Sequence, residues 1–416
     1  MVLVTAWLYL HLAESNRRPY TSHSTLATPH SIEYNVALVE TGGSHDEVTA
    51  ALYYALTAIP GVYTSMYLAL PRFGIENIYA WIHRRYKLSP YTISQPYEFT
   101  ATNDTMLPGL IVLASCEHDV FAVDTTLDYY FSHGPKDQKV LCVMHHIDRF
   151  KAVEERLRRW ARAGRLHFLT LSQHTTSALR TQLDTFKEPV YTRVPIHTFP
   201  PVFPAPLDPS PAQDNRISFA IQGNFEESRR QYLKTLLDFE RMLDELPPSL
   251  RERMHLILAG HGTEIGIPGK ILPYVSVNFS LDFIPYYNLL HSSFALIPAF
   301  ADHAYYDVKA SSSIPASFIA NTPVLGGRRL AQSYSYLSKE CMWFTSAYAG
   351  DAGDDVEDEM TSVYEILREH FDDSGMEKAS WRKVVEQKKS DVRKRATILM
   401  QHNVRLMQDI IVRQSK

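Results

Sequence analysis

Three cysteines in 416 residues, Cys116, Cys142 and Cys341, are too few and too scattered for a disulfide framework or a zinc site. Cys116 and Cys142 sit in or beside apolar runs and are expected to pack there as small hydrophobic side chains. Charge of one sign is also missing. Lys and Arg total 42 against 46 Asp and Glu, a net of −4, which excludes a general attraction to nucleic acid or to an anionic membrane. Any phosphate binding therefore has to be local. There is no dinucleotide fingerprint: Gly260-His261-Gly262 ends an apolar run, but no full G-x-G-x-x-G and no properly placed acid follow. No internal repeat is visible beyond the general likeness of two α/β halves. The apolar segment Val2–Ala13 is interrupted by His11 and followed by Arg17-Arg18, short of the ~20 residues that span a bilayer. A truncated signal-anchor, an interfacial helix that aids peripheral membrane association and a helix docked on the fold are its open readings, which leave the chain cytoplasmic or membrane-associated. The sequons at Asn103 and Asn278 matter only in a secretory lumen, and Asn278 falls in an expected strand.

What is present is the balance of a folded globular chain: 45% apolar and 21% charged residues, with length for two domains that each bury a core. The segment Val275–Gly327 is the most regular. It reads as strand, turn, helix, buried strand, polar loop, helix, then an Asn321-Thr322-Pro323 turn into another strand. That alternation predicts a parallel sheet covered by helices. Upstream, strands are expected at Glu33–Glu40, Leu110–Ser115, Val140–Met144 and Leu166–Leu171, with helices at Asp46–Ala58, Val153–Ala163 and Thr175–Leu183. Ser44 and Glu47 have the spacing of a capping box for the first helix. The prolines of Pro195–Pro211 predict an extended, stiff linker. Beyond it come expected strands at Ile217–Gln222 and Leu256–Ala259 around a helix at Arg230–Leu243. The acidic run Asp351–Glu359 reads as a solvated loop and helix start, and a long helix is expected at Trp381–Val412. The organisation predicted is an N-terminal segment at 1–32, a Rossmann-like domain at 33–205, a second at 206–350 and C-terminal helices at 351–416.

Candidate chemistry clusters at strand-to-helix junctions, where open α/β sheets bind ligands. Gly42-Gly43 follow the first strand and can bring backbone N–H groups close to an anion, although a plain tight turn is the alternative. His45 and Glu47 follow. Gly223-Asn224 end a strand shortly before Arg229-Arg230, two guanidinium groups at a helix start, where they oppose the macrodipole unless an anion is present. The alternative is surface pairing with Glu226 and Glu227. Gly260 and Gly262 end the next strand; Phe283 and Tyr286 follow and serve either a ligand or the core. Asp307, Lys309, Ser311, Ser312 and Ser313 form a polar loop that offers charge, hydroxyls and N–H groups to phosphate, or simply caps a helix. In the first half, His145-His146-Ile147-Asp148 follow a buried strand, and Glu117-His118-Asp119 end the one before it. The paired histidines lack a helically spaced partner, so a metal is not expected.

From Ile221 onward, and more loosely from Glu33 to Gly327, the chain resembles GT-B glycosyltransferases of the glycogen-synthase-like, family 4 type. The resemblance implies two Rossmann-like domains facing across a cleft, with the last helix crossing back. It implies transfer of a sugar from a nucleotide-diphosphate sugar, UDP-linked, to an acceptor glycan, lipid or small molecule, with no metal or other cofactor. Gly42, Gly43, Gly223, Asn224, Arg229, Arg230, Gly260, Gly262, Phe283, Tyr286, Asp307, Lys309, Ser311 and Ser312 would bind the donor, and His145, His146 and Asp148 would lie by the transferred sugar. The chain departs from the family twice. Asn224 stands where a Gly-Arg turn is usual, leaving Arg229 or Arg230 at the position of the family's lysine. The Glu-x7-Glu pair is replaced by Val308 and Ala316, with Asp307 beside the first position. The departure keeps open a catalytically inactive binding or scaffold protein. A nucleotide-dependent oxidoreductase is a further reading of two Rossmann-like halves, opposed by the missing dinucleotide loop.

Overall fold

The structure, a computed structural model, describes residues 34–99, 107–186, 189–209, 216–344, 359–378 and 381–412. The segment Val2–Ala13, the Asn103 sequon and the acidic stretch 351–358 fall outside them.

Two parallel sheets organise these residues. The first holds β1 (Tyr34–Glu40), β2 (Val62–Leu68), β3 (Tyr91–Ser94), β4 (Leu110–Leu113), β5 (Lys139–Met144), β6 (Leu166–Thr170) and β7 (Ile196–Thr198), in the spatial order 3-2-1-4-5-6-7. The second holds β8 (Ile217–Phe225), β9 (Met254–Gly262), β10 (Val275–Phe279), β11 (Ala295–Leu296), β12 (Val324–Gly326) and β13 (Met342–Phe344), in the order 10-9-8-11-12-13. Both orders reverse direction once, between β1 and β4 and between β8 and β11. Those are the points where a doubly wound sheet opens a crevice at its strand ends. The central strands are continuous apolar runs such as LIVL because both faces are covered. Along β1, Val36 and Leu38 join one core while Ala37 and Val39 join the other.

The apolar core on one side of the first sheet runs on into the second half. Phe199, Val202 and Phe203 are buried between them, beside Ala220, Tyr287 and, from the last helix, Val392 and Met407. The proline-rich segment is therefore not a solvent-borne linker. Its start pairs with β6 as an edge strand, the one sheet position that tolerates missing N–H donors, and residues 199–204 are buried. The last helix, Trp381–Val412, spans both halves: Lys389 Nζ donates to His291 O at 2.7 Å, whereas Asn403 Nδ2 donates to Pro200 O at 2.7 Å. Among the described residues no helix is long and apolar enough to cross a membrane.

Three local expectations are corrected. Cys116 and Cys142 do not pack as free thiols; they form a disulfide between the helix Cys116–Ala122 and β5, and Cys341 alone is free and buried. The helix Asp46–Thr57 takes His45 as its N-cap with no side-chain cap, so the Ser44/Glu47 capping box does not form. The run FALIPAF yields only the two-residue strand β11.

Candidate functional site

The strand ends of the two sheets face each other around a cavity of about 660 Å³. Its first wall comes from the loops after β1, β2, β4 and β5 and carries His45, Asp46, Glu47, Arg72, His118, His145, His146 and Arg149. Its second wall comes from the ends of β8 and β9 and the segments after β8, β10 and β11, and carries Gln222, Arg229, Arg230, His261, Tyr305 and Lys309. The halves touch at the rim, where Phe283 N donates to Phe73 O at 2.8 Å and the backbones of His146 and Lys309 form an antiparallel bridge.

Buried carboxyl groups shape the first wall from behind. Glu40 turns back on its own loop and accepts from the N–H groups of Gly42 at 3.1 Å, Gly43 at 2.8 Å and Ser44 at 3.4 Å. Those donors are spent inside the protein, so Gly42 and Gly43 do not line the cavity as an anion cradle. Asp119 accepts from Thr41 N, Thr41 Oγ1 and Ser115 N at 2.7–2.8 Å, and burial still pushes its carboxyl up to about 7. Glu117 Oε1 accepts from the N–H of His145 at 2.6 Å and also from that of His146, while its Oε2 has no partner. Burial raises this carboxyl as well.

The histidine loop is thus fixed by its own amides. His145 Nε2 donates to Ala114 O at 2.7 Å, which leaves Nδ1 as the acceptor, and its ring stacks on His45 with centroids 3.6 Å apart. Burial lowers His145 to about 4 and His45 well below the usual imidazole value, so two neutral rings face one another at pH 7. Glu117→Ala should strand two buried N–H groups and cost about 1–3 kcal/mol. Glu117→Gln keeps a carbonyl acceptor and should stay within about 1 kcal/mol of the parent in urea denaturation.

Asp46 is the wall's other carboxyl with a large shift. Burial, then Glu47, pushes it up to about 7 in spite of Arg72 at 3.6 Å. Its folded value lies above its unfolded one, so the stability it contributes is complete below about pH 4 and is lost as pH rises through about 7. Asp46→Asn should remove that loss. Between pH 4 and 8 the variant's thermal stability should fall less than the parent's, by about 1–2 kcal/mol once solvent access to the cleft is allowed for.

On the second wall the two adjacent arginines part company. Arg229 is half exposed and pairs with Glu226 at 3.1 Å. Arg230 is only 4% exposed. Its guanidinium donates to Ser313 Oγ at 3.0 Å, Ser311 Oγ at 3.2 Å, Arg229 O at 3.0 Å and, more weakly, Gln222 O at 3.4 Å. The rings of Phe300 and Tyr305 each lie 5.2 Å from it. Every acceptor is neutral, and among the described residues no carboxylate pairs with it. Gln222 completes the network, donating to Ser313 Oγ at 2.8 Å and accepting from Tyr286 OH at 2.7 Å. Lys309 Nζ lies 3.4 Å from Asp302, whose carboxylate is held below the usual range by the Ala304 amide and then by Lys309.

Of the residues singled out in the sequence, His145, His146, Gly223, Asn224, Arg229, Arg230, Gly260, Phe283, Tyr286, Lys309, Ser311 and Ser312 line the cavity. Gly42, Gly43, Asp148, Gly262 and Asp307 do not. Asp148 is exposed on the 3₁₀ turn Ile147–Arg149. Asp307 turns toward Arg329 at 3.7 Å instead of standing in for a donor-binding acid, and Gly262 sits exposed at the end of β9 beside Phe225. Gln222, Arg72, Asp46, Arg149, His261 and Tyr305 were missed. For Arg72 the missed signal was the alternating run VYTSMYL, which is β2 and delivers the loop that carries it. Among the described residues no group of three or more His, Cys, Asp or Glu side chains is arranged to hold a metal ion.

No protein-family model and no curated protein matches the chain. Solved structures do. Anabaena HepE in complex with UDP and glucose shares 9% identity over 90% of this chain and 100% of its own, with a TM-score of 0.56. The same protein in complex with UDP-glucose gives 0.55, and sucrose-phosphate synthase from Thermosynechococcus elongatus gives 0.52 at 12% identity over 91% of this chain and 98% of its own. The fold is GT-B. At identities near a tenth the likeness carries the fold, and the chemistry has to come from the cleft itself.

Proposed function

We propose that the chain is a glycosyltransferase that moves a sugar from a UDP-sugar, without a metal, to an acceptor held on the first wall. The observation that carries this reading is Arg230, a buried guanidinium at the β8/β11 crevice with no carboxylate partner among the described residues. A buried cation of that kind calls for an anion, and a diphosphate suits its planar fork. HepE, crystallised with UDP and with UDP-glucose, holds such ligands on the same fold.

In the reaction the bond between the anomeric carbon and the diphosphate oxygen breaks, the electron pair leaves with UDP, and the acceptor oxygen bonds the same carbon. Negative charge grows on the diphosphate, so Arg230, Arg229 and Lys309 on the second wall would stabilise the leaving group. Neutral His145 would offer Nδ1 to a sugar hydroxyl, with His146 beside it. Asp46, pushed up to about 7, can take the acceptor's proton near neutral pH.

A second reading, binding without turnover, is favoured by one observation. The positions of the family's acid pair hold Val308, packed against the first-half core, and Ala316, which is buried. Incubating the purified chain with a panel of UDP-sugars, and following both the calorimetric heat and the release of UDP, separates the two. Heat with UDP release supports transfer, heat without release the inactive reading, and no heat with any UDP-sugar overturns both.

A further inference from the structure

We propose that His174 is a positioning residue that ties the phosphate-facing loop of the second half to the first half. His174 is the second residue of the helix Gln173–Asp184, which belongs to the first half. Its ring reaches across the seam, with Nδ1 2.8 Å from Ser333 O and Nε2 2.9 Å from Lys309 O. Both partners are backbone carbonyls, which only accept. Each ring nitrogen can donate to its carbonyl only where it carries a proton, so both contacts depend on where the ring's protons sit. Ser172 Oγ, 3.5 Å from Nε2, is the ring's other polar neighbour and lies on its own half.

The ring also packs edge-on against Tyr334, with centroids 4.8 Å apart. Tyr334 is itself part of the loop's support: its hydroxyl accepts from Ser311 N at 2.9 Å and donates to Tyr305 O at 2.9 Å. One side chain therefore bears on the loop at Lys309 directly and at Ser311 through Tyr334, beside the His146–Lys309 backbone bridge. Lys309 and Ser311 both line the cleft, and Ser311 is a partner of Arg230. The tether is a statement about the unliganded protein. Its consequence for donor affinity rests on the function proposed above.

The test uses the full chain and three variants. The Gln side-chain nitrogen occupies the place of Nε2 and the Asn nitrogen that of Nδ1, so His174→Gln can still reach Lys309 O while His174→Asn can reach only Ser333 O. Without ligand, amide hydrogen exchange over 302–313 should quicken about tenfold or more in His174→Ala, with β4 and β5 unchanged. His174→Gln should restore most of the protection and His174→Asn little of it. UDP affinity by calorimetry should fall about tenfold in His174→Ala and follow the same order. If the Ala variant exchanges globally, the Gln and Asn pair still decides. Parental exchange of the loop in His174→Ala, or equal protection in the Gln and Asn variants, overturns the tether. The expected exchange pattern with no UDP binding to the parent leaves the tether standing and removes the donor reading.

Discussion

Arg230→Ala should weaken UDP binding by about a hundredfold while leaving the empty protein as stable as its parent or more so. Both halves of that expectation follow from one geometry. The guanidinium is 4% exposed and satisfied only by serine hydroxyls and carbonyl oxygens, so the unliganded fold carries a desolvated charge without a counter-charge. Removing it relieves that penalty, against the loss of packing between Phe300 and Tyr305. A bound diphosphate would receive charge-assisted bonds of about 1.5–3 kcal/mol each, which is where the hundredfold arises. Arg230→Lys should recover little, because an ammonium cannot address two serines and a phosphate with one planar fork. Arg229→Ala is the internal control. That side chain is half exposed and already pairs with Glu226, so a few-fold loss is expected. Calorimetry with UDP and urea denaturation of the same preparations measure both arms. Parental affinity in Arg230→Ala would remove this residue from the phosphate site and with it the main support for the proposed activity.

The contrast between Arg229 and Arg230 also marks the limit of what the sequence makes legible. Strand-to-helix junctions were readable because burial on both faces leaves continuous apolar runs, and the helix Trp381–Val412 was readable to the residue. That brought Arg229, Arg230, Tyr286, Lys309 and Ser311 to the second wall but left Gln222, His261 and Tyr305 unread. Which of two adjacent arginines is buried was not readable, since it depends on where the end of β8 lies against the loop after β11. Glu40 made the opposite kind of error invisible: Gly42-Gly43 has the composition of an anion cradle, but a side chain two residues earlier accepts its amides. Of the serines read as helix caps, Ser312 at the N-cap of the helix Ser313–Ile319 makes no side-chain cap, while Ser311 Oγ accepts from Ser313 N at 3.2 Å. The hydroxyls of Ser311 and Ser313 also partner Arg230 and Gln222. Strands β2 and β3 went unread because they are half-polar and toward the sheet's edge, where alternation replaces the apolar run, and β3 is also short. The Cys116–Cys142 bond joins elements that only the folded sheet brings together.

Gly260→Ala should be the most destructive single methyl group in the second half. Gly260 pairs with Gly223 across β8 and β9, and a Cβ at 260 would stand 1.7 Å from Gly223 O, 2.8 Å from Gly223 C and 3.2 Å from the Phe225 ring. No rotamer change relieves a clash with backbone, so the ends of the two strands have to part. Gly223 has φ +135°, and its pairing in the β8–β9 ladder ties its backbone to the strand it would have to leave. Overpacking of well-packed sites costs about 1–3 kcal/mol, and the added loss of ladder pairing puts the expectation near 3–4 kcal/mol. The displaced end of β8 leads through Asn224 to Arg230, so UDP binding should fall with stability instead of independently of it. That is the reverse of the Arg230→Ala signature. Gly266→Ala supplies the baseline: it is exposed, a Cβ there meets nothing within 4 Å, and a change within about 0.5 kcal/mol is expected. Urea denaturation of the two variants side by side gives the answer. Equal midpoints would mean that the strands have slack at Gly223, and that the close approach of β8 and β9 is not what sets Arg230 beneath Ser311 and Ser313.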